Sequence, residues 1–267
     1  MADEDKKDGI SINYVQCPFQ NPGKPVRTFV LPQKDKIVSH ATARMRWWEH
    51  KFTSDLFKLA ARGDEGSAFF DVGANIGTTS VVAADFFGKI YAFEFERINC
   101  AVLRKAMEIN NIEYELFECA VSRKVGETVA YIDPNNMGGH SLEILDSQMQ
   151  SKVSVKTITL DSLDKFINNV RFLHIDTEGH DFHVIAGSHD FVARQKVLPF
   201  IELEFSPRAI AKHGSSMADL LSFMDKFGYH AYMNASNALA PLSRTALSEM
   251  FHQWKTTQAW IDIYLIP

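Results

Sequence analysis

The stretch FFDVGANIG, Phe69 to Gly77, constrains this chain more than any other. Phe69, Phe70 and Val72 read as a short strand buried on both faces, and the two glycines allow the sharp turn needed before TTSVVAADFFG begins a helix. Strand, glycine turn and helix open a βαβ unit, which commits the chain to a parallel sheet covered by helices. With 267 residues, 46% of them apolar, there is enough material for such a core.

The alternation continues along the chain. KIYAFEF, YELFECAVS, VRFLHIDTEG and VLPFIELEF read as buried strands, and RINCAVLRKAMEINN, DSLDKFINN and DFHVIAGSHDFVARQ as the helices between them. KVGETVAYIDP and SKVSVKTITL have strand patterning and flank the polar NNMGGHSLEILDSQMQ, an antiparallel excursion with a loop. SSMADLLSFMDKFG is an amphipathic helix, and YHAYMN and WIDIYLIP are the last two strands. Ahead of the first strand, ARMRWWEHKFTSDLFKLAARG carries apolar residues at helical spacing and stops at Gly63. The expected fold is a doubly wound α/β sheet with a helical N-terminal attachment. Residues 1–10 are charged and read as a disordered tail, and residues 11–267 as a single domain: a helical segment over about 11–66 and a core over about 67–267.

Charge and cysteine usage exclude several classes. A net charge of −5 argues against general nucleic-acid binding, which rests on neutralising phosphates. Between Lys24 and Arg62, however, nine Lys or Arg face only Asp35, Glu49 and Asp55, a basic edge that suits an anionic acceptor. No apolar run reaches the ~18 residues of a membrane span, and the start lacks a secretory pattern, so a soluble cytoplasmic protein is expected. Cys17, Cys100 and Cys119 form no C-x-x-C pair and read as free thiols in a reducing compartment.

Three ligands compete for the loop GANIG. A P-loop needs a lysine where Gly77 is followed by Thr78 and Thr79. A dinucleotide site needs a second glycine where Asn75 stands, which weakens an NAD-type oxidoreductase without removing it. S-adenosylmethionine carries no phosphate and needs a carboxylate for its ribose and acceptors for its cationic end. Glu94 ends the second strand, 21 residues after Gly73, and Asp71 and Asn75 place side-chain oxygens beside the loop.

DVGANIG, AFE, TLDSL, IDTEG and IELEF, in that order, resemble the FkbM family of S-adenosylmethionine-dependent O-methyltransferases. The likeness covers Phe69 to about Phe205. It implies the class I methyltransferase fold, a doubly wound, mostly parallel, seven-stranded Rossmann-like sheet. It also implies site roles: Asp71, Gly73, Asn75 and Gly77 line the methionine end, Glu94 holds the ribose with Phe95 beside it, and Cys119 and Ala120 border the adenine. Glu49 stands where relatives often have an acid that closes over the cofactor. Relatives usually have proline where this chain has Phe95, lysine where it has His174, and glutamate where it has Asp181.

Methyl transfer requires the protein to align a nucleophile and remove its proton, and DTEGHD offers carboxylates and an imidazole at the ligand edge. Asp176 and Glu178 alternate along an extended chain and so face one side. Asp176 is the first choice for touching both cofactor and acceptor. Glu178, His180 and His140 are the other candidate catalytic groups, and Glu204 ends a buried strand nearby. His180 and His183, with Asp176, could ligate a metal, but the family pattern does not call for one and none is expected. The expected reaction is methylation of a hydroxyl on a sugar, a glycan or another polar natural product, including anionic and nucleotide-linked sugars. A non-catalytic binding module with the same fold is the remaining alternative.

Overall fold

The computed structural model describes residues 3–5, 12–33, 50–64, 66–133, 137–143 and 151–267. The chain opens with a three-stranded antiparallel sheet of β1 (Asp3–Asp5), β2 (Ile12–Gln20) and β3 (Val26–Pro32). Helix α1 (His50–Ala61) then leads into β4 (Ala68–Val72), α2 (Thr78–Ala83), β5 (Lys89–Phe93), α3 (Arg97–Ile109) and β6 (Tyr114–Phe117). A side sheet follows, made of β7 (Ala120–Val121), β8 (Gly126–Ile132) and β9 (Ser151–Ile158) in the order β7-β9-β8. The main sheet resumes with β10 (Val170–Ile175), α4 (Asp181–Ala186), α5 (His189–Ala193), β11 (Phe200–Phe205), α6 (Pro207–Lys212) and α7 (Met217–Phe227). It closes with β12 (His230–Ala235), β13 (Ala238–Leu242), α8 (Arg244–Trp254) and β14 (Ile261–Ile266).

The main sheet has eight strands in the order β13-β12-β14-β11-β10-β4-β5-β6. β11, β10, β4, β5 and β6 run parallel, and β14, β12 and β13 are added antiparallel. Seven strands were expected. The eighth, β13, comes from a hairpin whose turn residues Ser236 and Asn237 have φ of 55° and 66°, the paired left-handed geometry of a two-residue hairpin turn. Pro241 confines it to the sheet edge, where its missing N–H costs nothing.

The N-terminal segment expected to be helical is a β-hairpin over 12–32. Asn21-Pro22-Gly23-Lys24 closes it with Gly23 at φ 73° and a Lys24 N to Asn21 O bond of 3.0 Å, a turn that places proline and glycine where their backbone limits require. Tyr14, Phe19, Phe29, Val30 and Leu31 of the hairpin join the sheet's core, and burial in β3 runs over four consecutive residues, Phe29–Pro32, rather than alternating. Asp3–Asp5, inside the expected disordered tail, pair with Ile12–Tyr14. Backbone bonds alone support an edge strand and need no apolar side chain. Glu49 and the paired tryptophans Trp47 and Trp48 lie outside the described residues.

Two apolar layers cover the sheet. On one face Phe57 of α1 packs edge-on against Phe69 and Phe172, with ring centroids 5.0 and 4.9 Å apart. On the other, Phe70, Phe93, Phe182 and Phe191 join the residues of α4, α5 and α7. On this face Gln195 Oε1 accepts the Val170 N–H at 2.9 Å. A Cβ on Gly187 would lie 2.3 Å from the Ser122 carbonyl, so the helix expected over 181–195 breaks into α4 and α5 at that glycine. DSLDKFINN forms only a 3₁₀ turn over Leu160–Ser162, because Asp161 turns its carboxylate to the Phe191 N–H rather than continuing the helix.

The basic edge has a structural use. Arg27 Nε lies 2.8 Å and Asn21 Nδ2 2.7 Å from the Asp85 carboxylate, and Lys24 Nζ lies 2.5 Å from the Asp85 carbonyl. Asp85 follows α2 near Gly88, whose N–H bonds Ser67 O ahead of β4, so these cations clamp the hairpin to the edge where strands begin. Of the nine basic residues, Lys34, Lys36, Arg44 and Arg46 lie outside the described residues. Among the described residues no helix is long and apolar enough to cross a membrane.

Gly73 and Gly77 differ in what surrounds them. A Cβ on Gly77 (φ 83°) meets side-chain atoms of Leu103 and Met107 at 3.0 and 3.3 Å, whereas one on Gly73 (φ 85°) would lie 1.8 Å from the Asp176 carbonyl. Gly77→Ala should therefore cost the ~1–2 kcal/mol of a left-handed residue, a few degrees of Tm. Gly73→Ala should cost at least twice as much, because backbone cannot rotate away. Equal melting losses for the two variants would contradict this packing.

Candidate active site

The carboxyl ends of β4, β5, β6 and β10 open into one cleft of about 590 Å³, counted with its solvent-filled mouth. This is the edge at which open α/β sheets bind ligands, where strand order reverses between β4 and β10. Met137, Gly138, His140, Ser141 and Leu142 add a loop to its lining.

Glu94 follows β5 and is 6% exposed. Its Oε2 accepts the Asn75 N–H at 2.9 Å, and its Oε1 accepts the Phe95 and Glu96 N–H groups at 2.8 and 2.7 Å. These three amides fix the carboxylate on the cleft wall and take three of its roughly four acceptor positions, with Oε2 the less occupied oxygen. Burial pushes its pKa up to about 7 against the pull of those amides. Asn75 reaches Glu94 because it adopts φ 51°, held by its own Oδ1 accepting the Ile76 N–H at 2.7 Å.

Other expected cofactor residues divide into two groups. Gly73, Asn75, Glu94, Phe95, Cys119, Ala120 and Asp176 all line the cleft. Asp71 and Gly77 do not. Asp71 is fully buried beneath the loop, where it takes the Ser80 hydroxyl and lies 2.9 Å from His174 Nδ1, so it joins β4, β10 and α2. Gly77 caps α2 and lets it approach Leu103. Burial raises the Cys119 thiol to about 11, which leaves it an inert wall.

The turn after β10 supplies the opposite wall. Asp181 is fully buried and builds that turn by accepting from Thr177 Oγ1 at 2.9 Å and from the Gly179 and Glu204 N–H groups at 3.2 Å. The strand ends at Ile175, so Glu178 reaches the cleft through a left-handed residue, φ 54°, rather than by strand alternation. A non-glycine residue in that region is strained and points to function when it sits in a cleft. Asp176 stands at the cleft with its side open to solvent. Desolvation raises its pKa, His174 pulls it back and Asp71 adds to the rise. Burial and the neighbouring Asp176, Asp181 and Asp133 raise Glu178 to about 8. Burial, then Asp176 and Glu178, raise Glu204 as well, so these carboxylates titrate as a group.

His174 is the cation beside them. Desolvation disfavours its charge, but the bond to Asp71 and the charges of Asp71, Glu202 and Asp176 win and bring it to about 10.

Neither candidate histidine offers a ready lone pair. His140 lines the cleft, and its Nδ1 accepts the Asp133 N–H at 3.1 Å, which places the proton of the neutral ring on Nε2. His180 meets Ser122 Oγ at 2.9 Å through Nε2 and His213 Nδ1 at 3.1 Å through Nδ1. Burial and the adjacent His183 and His213 depress it to about 2, so it stays neutral. His183 lies 4.3 Å from it, ring stacked on ring, and gives Nε2 to the His213 carbonyl at 2.7 Å. Among the described residues no group of three or more His, Cys, Asp or Glu is arranged to hold a metal ion. Sequence reading missed Ser122, Ser141 and His213, which lie in loops with no motif around them.

Residues 71–231 match the FkbM methyltransferase domain, from the end of the strand that opens the glycine turn to the start of β12. The chain belongs to the FkbM methyltransferase family. Membership makes S-adenosylmethionine its methyl donor, and the cleft fits that molecule: one carboxylate set by amides, apolar walls from Phe95, Ala120 and Leu142, and no Lys or Arg among the described lining residues. Among solved structures the chain is similar to the plantazolicin methyltransferase BpumL in complex with SAH, at TM-score 0.47 and 9% identity over 85% of each chain. It is also similar to magnesium protoporphyrin IX methyltransferase from Synechocystis PCC 6803 with bound SAM, at TM-score 0.46 and 11% identity over 86% of this chain and 83% of that one. A third is precorrin-6y C5,15-methyltransferase from Geobacter metallireducens GS-15, at TM-score 0.42 and 12% identity over 80% and 86%. These likenesses are loose, and the assignment rests on the family match. No curated protein matches the chain.

The shifted groups make a signed prediction. Glu94, Asp181 and Glu178, raised to about 7, 7 and 8, and His174, raised to about 10, all hold protons in the folded state that the unfolded chain releases at lower pH. Stability from each is present below its unfolded pKa and is lost as pH rises toward its folded value. The depressed His180, His213, His183 and His189 act in the opposite sense, and their contribution fades as pH rises past the unfolded value of about 6.5, leaving the raised groups to set the slope. The Tm of the free protein should therefore fall steadily from pH 6.5 to 8.5. A flat or rising Tm would contradict the arrangement.

Proposed function

We propose that this FkbM protein transfers a methyl group to a hydroxyl of an uncharged sugar, glycan or similar polyol. One observation carries the reading: the amide-set Glu94 carboxylate faces, across a single cleft, the Asp176–Glu178 wall. Glu94 accepts the two ribose hydroxyls, Phe95 and Ala120 border the adenine, and Gly73 with Asp176 flanks the amino-acid end. S-adenosylmethionine, when bound, supplies a methyl carbon activated by a positively charged sulfur.

The chain's own part is alignment and proton removal. Asp176 and the turn behind it orient the acceptor, an effect worth up to ~7–11 kcal/mol in favourable geometry. Glu178 takes the acceptor's hydroxyl proton. Its raised pKa suits a base working near neutrality, a contribution of ~10²–10⁴-fold. His174 opposes the rise in the Asp176 pKa and stands where relatives usually have lysine. Lys24 and Arg27 are committed to Asp85 at the far edge, and the described lining is acidic, so an anionic acceptor is less favoured than a neutral one. The same lack of cations disfavours the pyrophosphate of a dinucleotide. The three cysteines are free, in keeping with a reducing cytoplasm.

Calorimetry with S-adenosylhomocysteine tests the cofactor half. Glu94→Ala should weaken binding by ~10²-fold or more, since it removes two charge-assisted bonds of ~1.5–3 kcal/mol each, and no binding by the parent protein would end the reading. Labelled donor with a panel of neutral sugars tests the other half. The transfer rate should rise with pH and level off above about 8, and Glu178→Gln should abolish that rise. Cofactor binding without transfer to any member of the panel would favour a non-catalytic module.

A further inference from the structure

We propose that His213 is a positioning residue: together with His180 it moors the loop 137–143 across the cleft and so sets how tightly the cofactor is retained. The second half of this statement rests on the cofactor reading above. The first half is geometry.

A continuous chain of hydrogen bonds links four side chains, three of them buried and Ser122 half-buried, that sequence reading did not connect. The Ser122 hydroxyl donates to His180 Nε2 at 2.9 Å, His180 Nδ1–H to His213 Nδ1 at 3.1 Å, and His213 Nε2–H to Ser141 Oγ at 3.3 Å. The Ser141 hydroxyl then points to the Glu178 carbonyl at 3.5 Å. In this direction every proton and lone pair of the two neutral rings has one partner, which is what buried polar groups require. His183 sets the far side by giving Nε2 to the His213 carbonyl.

What the chain holds is the cleft wall. Ser141 is 1% exposed and exchanges two backbone bonds with Tyr131, at 2.7 and 3.1 Å, at the root of the loop. At its other end the loop carbonyl of Met137 accepts from Asn99 Nδ2 at 3.1 Å, beside Glu94. The loop therefore spans from the ribose side to the Glu178 side, held at one end by Asn99 and at the other by His213. Its described apolar hold on the side sheet is small: Leu142 packs on a cluster of Ala120, Ala130 and Val155. At the far end Met137 packs on the core cluster, so the Ser141 end, with Leu142 as its apolar contact, is where single hydrogen bonds weigh most in holding the loop.

Isosteres separate the two bonds of His213. Glutamine reaches where Nε2 sits and keeps Ser141; asparagine reaches only where Nδ1 sits and keeps His180. Amide hydrogen exchange at Tyr131 and Ser141 reads the loop in the free protein, and S-adenosylhomocysteine titration reads retention. His213→Asn and Ser141→Ala should each speed exchange and weaken binding three- to tenfold, the range of one net hydrogen bond. His213→Gln should stay near the parent, and His213→Asn combined with Ser141→Ala should be no worse than either alone. Ser141→Ala removes a single oxygen and keeps the test usable if a His213 variant misfolds. Equal behaviour of the glutamine and asparagine variants, additive losses in the double variant, or unchanged exchange would overturn the mooring. Changed exchange with unchanged affinity would overturn its effect on retention. Absence of S-adenosylhomocysteine binding by the parent would instead sink the cofactor reading, while exchange still decides the mooring.

Discussion

The close approach of two strand ends organises everything above the sheet. The backbone at Gly73 passes so near the Asp176 carbonyl that no side chain fits between them, and the Gly73 and Ala74 N–H groups both donate to Phe93 O at 3.0 Å. Three parallel strands are thereby drawn to one point. The turn that follows delivers the Asn75 N–H to Glu94, and the other strand end delivers Asp176 and Glu178. The two walls of the cleft are thus one piece of backbone geometry.

That geometry concentrates carboxylates in a poorly solvated place. Asp176, Glu178, Asp181 and Glu204 all resist ionisation there, and His174, between Asp71 and Glu202 on neighbouring strands, is the described cation that answers them. A cleft lined by Glu94, Asp176 and Glu178 suits a cationic cofactor, and a donor that relieves the repulsion gains affinity from it. Stability is given up for that readiness, which is a common arrangement where strained or repelling groups cluster at a site.

The parallel core was legible because buried strands and glycine turns leave local marks: FFDVGANIG, AFE and IDTEG each carry strand, turn and chemistry in a few adjacent residues. The N-terminal hairpin was legible too, in Asn-Pro-Gly-Lys, but the helical pattern after it drew the reading toward helix. β13 left a weaker mark, since Ser236-Asn237 is an uncommon pair for a left-handed turn. Asp71 shows the limit of motif reading. Its place in the sequence suggested ligand contact, whereas its register opposite His174 buries it under the loop. Ser122, His213 and Ser141 could not be found at all, because they meet only when three separate loops fold over α4.

The most direct measurement is the position of the ribose in a crystal of the protein with S-adenosylhomocysteine. Both ribose hydroxyls should lie within hydrogen-bond distance of the Glu94 carboxylate while the Asn75 N–H still holds it from behind. A nucleoside bound anywhere else, or a Glu94 side chain turned off its amides and away from the sugar, would contradict the site described above.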